Sequence, residues 1–221
     1  MAFHYSPKLI TSGLTLAVDA GNQTSYPGTG TAWYDLSGNG NNNTLVNGPT
    51  FSTLNGGCLV FDGADDYSDT GKTASQIGMY DQSYTVFSVC YPTDFNSDKN
   101  MVGTDQTAFR QGLHLTFRGG QIYMGHYASD YAAGYGTLNA WNFITFRYDI
   151  STSTASIFKN SVLQGSGGIQ SFIGTTNILI SREFGGYNFQ GNIATTLIYN
   201  RALSQEEVTQ NYNALKSRFS L

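Results

Sequence analysis

Oxygen ligands at regular spacing are the first chemistry this chain offers. Asp35-Leu36-Ser37-Gly38-Asn39-Gly40-Asn41 carries a side-chain oxygen at every second position, the spacing with which a calcium loop wraps hard oxygen donors around an ion. Asp62-Gly63-Ala64-Asp65-Asp66 brings three carboxylates into five residues, and such charges repel one another unless a cation or hydrogen bonds intervene. Asp35, Asn39, Asp62, Asp65 and Asp66 are therefore the candidate ligands of a calcium ion. The same residue types serve a second purpose without any ion, because Asn and Asp cap their own backbone in tight glycine-rich loops. No glutamate closes either segment as the bidentate last ligand of an EF-hand does.

The second chemistry is recognition of a ligand by aromatic and polar groups together. Between His126 and Gly136, Tyr127, Tyr131 and Tyr135 stand among small, turn-prone residues with Asp130 between them. Glu183-Phe184-Gly185-Gly186-Tyr187-Asn188 adds an acid, two aromatics and an amide. Tyrosine offers a flat apolar face and a hydroxyl, which suits stacking on a sugar ring or contact with a protein partner. Read as loops, the two segments make Tyr127, Asp130, Tyr131, Tyr135, Glu183, Tyr187 and Asn188 the candidate ligand-binding residues. Packing over the ends of the fold or against a neighbouring subunit is the competing purpose of these tyrosines. His4, His114 and His126 stand in no nucleophile motif with a serine.

These groups need elements to position them. Period-two alternation marks Gly13 to Asp19 as the first strand. Further short strands are expected at Cys58 to Phe61, Tyr84 to Tyr91, Leu113 to Phe117, Gln121 to Gly125, Asn142 to Asp149, Thr154 to Lys159, Asn177 to Ser181 and Gly191 to Tyr199. Turn residues such as Arg118-Gly119-Gly120 separate them at the spacing of a β-sandwich, and Asp35 to Gly48 reads as an Asn/Gly-rich loop. One helix is expected from Ser204, with Glu207 as its capping-box partner. Its apolar stripe is Val208, Tyr212, Leu215 and Phe219.

Composition narrows the function classes. A chain of 221 residues with 26 glycines suits one all-β domain of many tight turns. The net charge of −4 and scattered Lys and Arg provide no phosphate-binding patch, so no nucleic-acid partner is expected. No segment is apolar enough for membrane insertion, and Met1 to Lys8 do not read as a signal peptide. Cys58 and Cys90 lie in apolar runs and are expected as buried free thiols, with a disulfide as the alternative.

Two distant segments carry a family resemblance. Tyr34-Asp35-Leu36-Ser37-Gly38-Asn39-Gly40-Asn41 followed by Phe61-Asp62-Gly63-Ala64-Asp65-Asp66-Tyr67 is one. Phe189-Gln190-Gly191-Asn192-Ile193 followed by Ile198-Tyr199-Asn200-Arg201-Ala202-Leu203-Ser204 is the other. Together they resemble the laminin-G-like, concanavalin A-like jelly-roll family, in the form found in phage and virus structural proteins, over about residues 13–215. The resemblance implies a two-sheet antiparallel jelly-roll β-sandwich with one C-terminal helix, and a last strand paired beside the first. The expected organisation is an N-terminal arm over 1–12, the sandwich over 13–203 and the helix over 204–219. The family's glycosidases carry a Glu-x-Asp-x-x-Glu-like strand motif. With only Glu183, Glu206 and Glu207 in the chain, that motif cannot be built here, so no enzyme is expected.

The functional expectation is a non-enzymatic virion surface protein, made in the host cytoplasm and located on the virion as a decoration, fibre or tail-associated module. Its expected partners are other virion proteins through the arm, surface glycans, and further copies of itself as a homo-oligomer. The alternative is a calcium-assisted glycan-binding lectin module using the tyrosine-rich loops.

Overall fold

A computed structural model describes residues 7–221. Sixteen strands run in chain order as β1 (Leu14–Asp19), β2 (Ala32–Trp33), β3 (Asn43–Val46), β4 (Thr50–Ser52), β5 (Cys58–Asp62), β6 (Tyr67–Thr73), β7 (Tyr84–Pro92) and β8 (Lys99–Gly103), then β9 (Leu113–Arg118), β10 (Gln121–His126), β11 (Asp130–Tyr135), β12 (Asn142–Asp149), β13 (Thr154–Lys159), β14 (Val162–Gly168), β15 (Asn177–Ile180) and β16 (Gln190–Tyr199). Two helices complete the fold, a single turn α1 (Ala74–Ile77) and the C-terminal α2 (Gln205–Leu215).

The strands form two antiparallel sheets of eight. The first has the order β14-β13-β12-β7-β16-β5-β4, with β1 also beside β16. The long β16 serves two partners along one edge: Gln190 to Ile193 pair with β5, and Thr195 to Tyr199 pair with β1. The first strand therefore does neighbour the last. The second sheet has the order β11-β10-β9-β8-β15-β6-β3-β2. The architecture is the all-β, two-sheet sandwich with a C-terminal helix expected from the sequence, consistent with a concanavalin A-like jelly roll.

Alternation along each strand builds two apolar layers. Leu115, Phe117, Ile122 and Met124 of the second sheet meet Val86, Ile144, Phe146 and Ile193 of the first in the inter-sheet core. Phe87, Phe143, Phe158 and Tyr199 point the other way, under Val208 and Phe219. Trp141 joins this outer layer, with its ring 4.7 Å from that of Phe219 and its Nε1 donating to Asn55 Oδ1 at 2.9 Å. Cys58 and Cys90 are buried free thiols. His126 is wholly buried between the Tyr84 hydroxyl and the Gln170 carbonyl. Burial lowers its pKa to about 4, so it stays neutral at ordinary pH.

Local chemistry fixes the helix. Ser204 Oγ accepts from Glu207 N at 3.3 Å, and Glu207 Oε2 accepts from Ser204 N at 2.9 Å, a reciprocal capping box. Arg201 grips the same carboxylate with both terminal nitrogens, at 2.8 and 2.7 Å. Helical geometry stops at Leu215 and a tighter turn, Lys216–Phe219, carries Phe219 onto the sheet.

Of the expected arm, residues 1–6 lie outside the described residues. The remainder lies along the chain's own helix. Lys8 O accepts from Gln210 Nε2 at 2.7 Å, Ile10 N donates to Asn211 Oδ1 at 2.9 Å, and Ile10 O accepts from the Tyr199 hydroxyl at 2.8 Å. No helix among the described residues is long and apolar enough to cross a membrane.

Candidate functional site

The calcium expectation divides in two. Asp35 spends its carboxylate on protein donors: Oδ1 accepts from Ala17 N at 2.9 Å and Ser37 N at 2.8 Å, and Oδ2 accepts from Ser37 Oγ at 2.6 Å and Asn41 N at 3.0 Å. Asn39 donates through Nδ2 to Leu14 O at 2.9 Å. The alternate-position oxygens here form Asx turns that pin the loop to β1, and Asp35 has no lone pair to give an ion. The second cluster differs. Ligand oxygens of Asp62, Asp65 and Asp66 lie within 4.8 Å of one another. Backbone N–H groups occupy Asp62 Oδ1 (Ala64 N, 2.8 Å) and Asp66 Oδ2 (Asp62 N, 3.2 Å). Among the described residues, Asp65 and the other oxygens of Asp62 and Asp66 have no donor, a set that fits a hard cation. Burial raises the Asp66 carboxyl above its ordinary range, and the charges of Asp62 and Asp65 add to this.

The candidate ligand residues are not one site. Asp130, Tyr131 and Tyr135 lie on a strand, β11, rather than in a loop; residues as small as Ala132 and Gly134 hide its alternation. Tyr131 packs inward against the core and over Gly165 and Gly167. Tyr135 is 62% exposed at the strand end. Tyr127 and Tyr187 do come together, at either side of Phe184, with ring centroids 5.2 and 6.4 Å from it. Asn188 turns away from them and donates to Ala64 O beside the acidic cluster.

Asp130 and Glu183 belong to a polar row on the outer face of the second sheet. His114 Nε2 pairs with Asp130 Oδ1 at 3.0 Å, and Arg118 Nε with Asp98 Oδ2 at 2.9 Å. The His114 ring lies over Gly125, where a Cβ would stand 1.8 Å from Nε2; the strand needs glycine there. Burial opposes ionisation of Asp130, but the His114 hydrogen bond and the His114 and Arg118 charges bring its carboxyl below the usual range. Glu183 sits over Gly103, the register partner of His114. It is 1% exposed, its Oε2 lacks a partner, and burial raises its pKa to about 7.

Next to this row lies a cleft of about 340 Å³ lined by Tyr67, Asp69, Asp105, Thr176, Asn177 and Leu179, within the range of about 300–1,000 Å³ typical of small-molecule sites. Ile178 and Ile180 of β15 enter the core, so Asn177 and Leu179 face outward beside Asp69, the register partner of Leu179. Asn177 Nδ2 donates to both Asp69 oxygens, at 3.1 and 3.3 Å. Arg182 Nε reaches both Asp105 oxygens at 3.4 Å, and the guanidinium lies 4.9 Å from the Tyr67 ring centre. Gln106 Oε1 accepts from Thr175 N at 2.7 Å and ties the loop after β8 to the loop before β15. The cleft thus combines an apolar floor, a phenol face, two carboxylates and an amide. None of its lining residues was a sequence candidate. The signal was Tyr67-x-Asp69, two functional side chains on one face of a strand.

The sequence from 62 to 209 matches the family described as the concanavalin A-like lectin/glucanases superfamily. The chain belongs to it. Solved structures share the concanavalin A-like fold at low identity. One is the binding domain of Paraclostridial Mosquitocidal Protein 1, 15% identical with a TM-score of 0.68, where the match covers 91% of this chain and 52% of that one. Another is domain 4 of an extracellular arabinanase from Geobacillus stearothermophilus, in complex with arabinotriose, 16% identical with a TM-score of 0.69, covering 91% and 98%. A mutant Trypanosoma rangeli sialidase displaying trans-sialidase activity is 11% identical with a TM-score of 0.68, covering 96% and 34%. This concanavalin A-like chain therefore spans about half the mosquitocidal chain and about a third of the sialidase. A search of the curated proteins gives no match.

Proposed function

We propose that this chain is a non-enzymatic glycan-binding module that takes a sugar in the cleft on its second sheet. The observation that carries this is the lining itself: Tyr67 and Leu179 offer apolar surface to a sugar ring, while Asp69, Asp105 and Asn177 meet its hydroxyls. The arabinotriose complex of the arabinanase domain supports it, since that domain is covered almost end to end. Hydrolysis needs a carboxyl kept protonated beside the glycosidic oxygen. Glu183, which burial makes such an acid, is buried and does not line the cleft.

Tyr67→Ala is expected to weaken binding to the responding members of a glycan array about tenfold, as removal of a central aromatic contact does, while Tyr135→Ala leaves it unchanged. Loss of binding on Tyr127→Ala or Tyr187→Ala, with Tyr67→Ala unaffected, would move the site to the Tyr127, Phe184 and Tyr187 rings.

Calcium belongs to this reading at Asp62, Asp65 and Asp66, where hard oxygens are free. An ion held only by the folded state at a concentration of 100 Kd adds about 2.7 kcal/mol. A chelator is then expected to lower the melting temperature, and Asp65→Asn to abolish that response. No change with chelator would mean that hydrogen bonds alone hold the loop. We further propose a virion surface as the setting, with a homo-oligomer presenting several clefts, on the strength of the motif resemblance. Immunogold labelling of purified particles tests this, and label confined to the particle-free fraction rejects it.

A further inference from the structure

On the reading of the cleft as a glycan site, we infer that it selects neutral sugars and excludes acidic ones, with Asp69 as the discriminating group. Two carboxylates line the cleft and no lysine or arginine does. Arg182 is committed to Asp105. Asp69 has only neutral donors: the Asn177 amide, which reaches both of its oxygens, and the Gly71 N–H, which donates to Oδ1 at 2.7 Å. The polar lining therefore carries one negative charge with no cation against it. Hydroxyl donors gain from this, because a hydrogen bond to a carboxylate is about twice as strong as a neutral one. The carboxylate of a uronic or sialic acid meets a like charge across the cleft, where repulsion beside a protein surface is larger than in bulk water. Discrimination of this kind works by an unfavourable term built against the wrong partner.

One arrangement works in the opposite direction. Arginine is the usual fork for a sugar carboxylate, and Arg182 is at the rim. Its guanidinium lies on the Tyr67 ring while Nε faces Asp105. Turning to an acidic sugar would strip Asp105 of its partner, leaving both cleft carboxylates uncompensated.

The test is calorimetric titration of the full chain at fixed ionic strength, with neutral arabino-, xylo- and gluco-oligosaccharides against oligogalacturonate and sialyllactose. Neutral ligands are expected to bind, and acidic ones at least about tenfold more weakly. Asp69→Asn should narrow that ratio severalfold, with folding checked by melting temperature. Raising the salt concentration on the unaltered chain should narrow it too, since screening acts on like charges. Acidic ligands binding as tightly as neutral ones, or a ratio indifferent to both Asp69→Asn and salt, overturns the selectivity and leaves the glycan site standing. Binding of neither class overturns the glycan reading beneath it.

Discussion

Asp35→Ala is expected to cost the fold about 3–4 kcal/mol, which places it among the most damaging single changes in a small domain. Four donors converge on this carboxylate, three of them backbone N–H groups. One, from Ala17, belongs to a residue only 4% exposed in β1. Hydrogen bonds to a charged acceptor are worth about 1.5–3 kcal/mol each, and a buried donor left alone costs more than the bond contributed. The four are not additive, because Ser37 and Asn41 are loop groups that water can reach once the loop opens. The melting temperature should fall by about 10 °C in a chain of this size. Asp35→Asn keeps one acceptor oxygen and is expected to lose roughly half as much. An Asp35→Ala chain that melts with the wild type would show that the loop is held by something other than this carboxylate.

Glu183→Gln is expected to stabilise the protein above neutral pH and to leave it unchanged in acid. The folded-state pKa of Glu183 is raised from 4.5 to about 7, chiefly by burial, with the nearby His114 and Asn100 pulling it back and Asp98 pushing it further. The folded state therefore holds this proton more tightly than the unfolded chain does. The resulting stability is fully present below pH 4.5 and is lost as pH rises through about 7. At 1.36 kcal/mol per unit the loss approaches about 3 kcal/mol at pH 8. His126 titrates with the opposite sign. Its pKa falls from 6.5 to about 4, so its stability is present above pH 6.5 and lost as pH falls through 4. The two slopes oppose each other between them, and only their difference from a variant separates them. Melting curves of wild type and Glu183→Gln from pH 4 to pH 8 should converge in acid and diverge in base. Parallel curves would mean that Glu183 titrates in the fold as it does in the unfolded chain.

The sequence made legible those elements whose apolar and polar residues alternate with the sheet. β7, β12, β13 and β16 have buried residues that are plainly hydrophobic. The helix declared itself through Ser204 and Glu207, because a capping box is a local interaction. β6 escaped for a physical reason: its inward residues are Ser68 and Thr70, and Thr70 is accommodated by a hydrogen bond from Oγ1 to Ile178 O at 2.8 Å. Without an apolar partner at every second place the strand looks like a turn. β8 and β14 hide behind a buried Lys99 and three glycines respectively, and β3 inside an asparagine run. The cleft stands on β6 and β15, so it was lost with the strand. The Asp35 loop shows the converse. Alternating oxygens carry the same spacing whether they face an ion or their own backbone, and only the coordinates of the donors separate the two.

The clip between residues 8–10 and α2 also bears on how the module can be presented. Lys8 and Leu221 both lie on the helix-covered face of the first sheet, while the cleft opens on the far side of the sandwich. A tether joined at Leu221 would leave from the back of the molecule. The cleft would then point outward, away from whatever holds it, and many copies set side by side on a support would all display the same face.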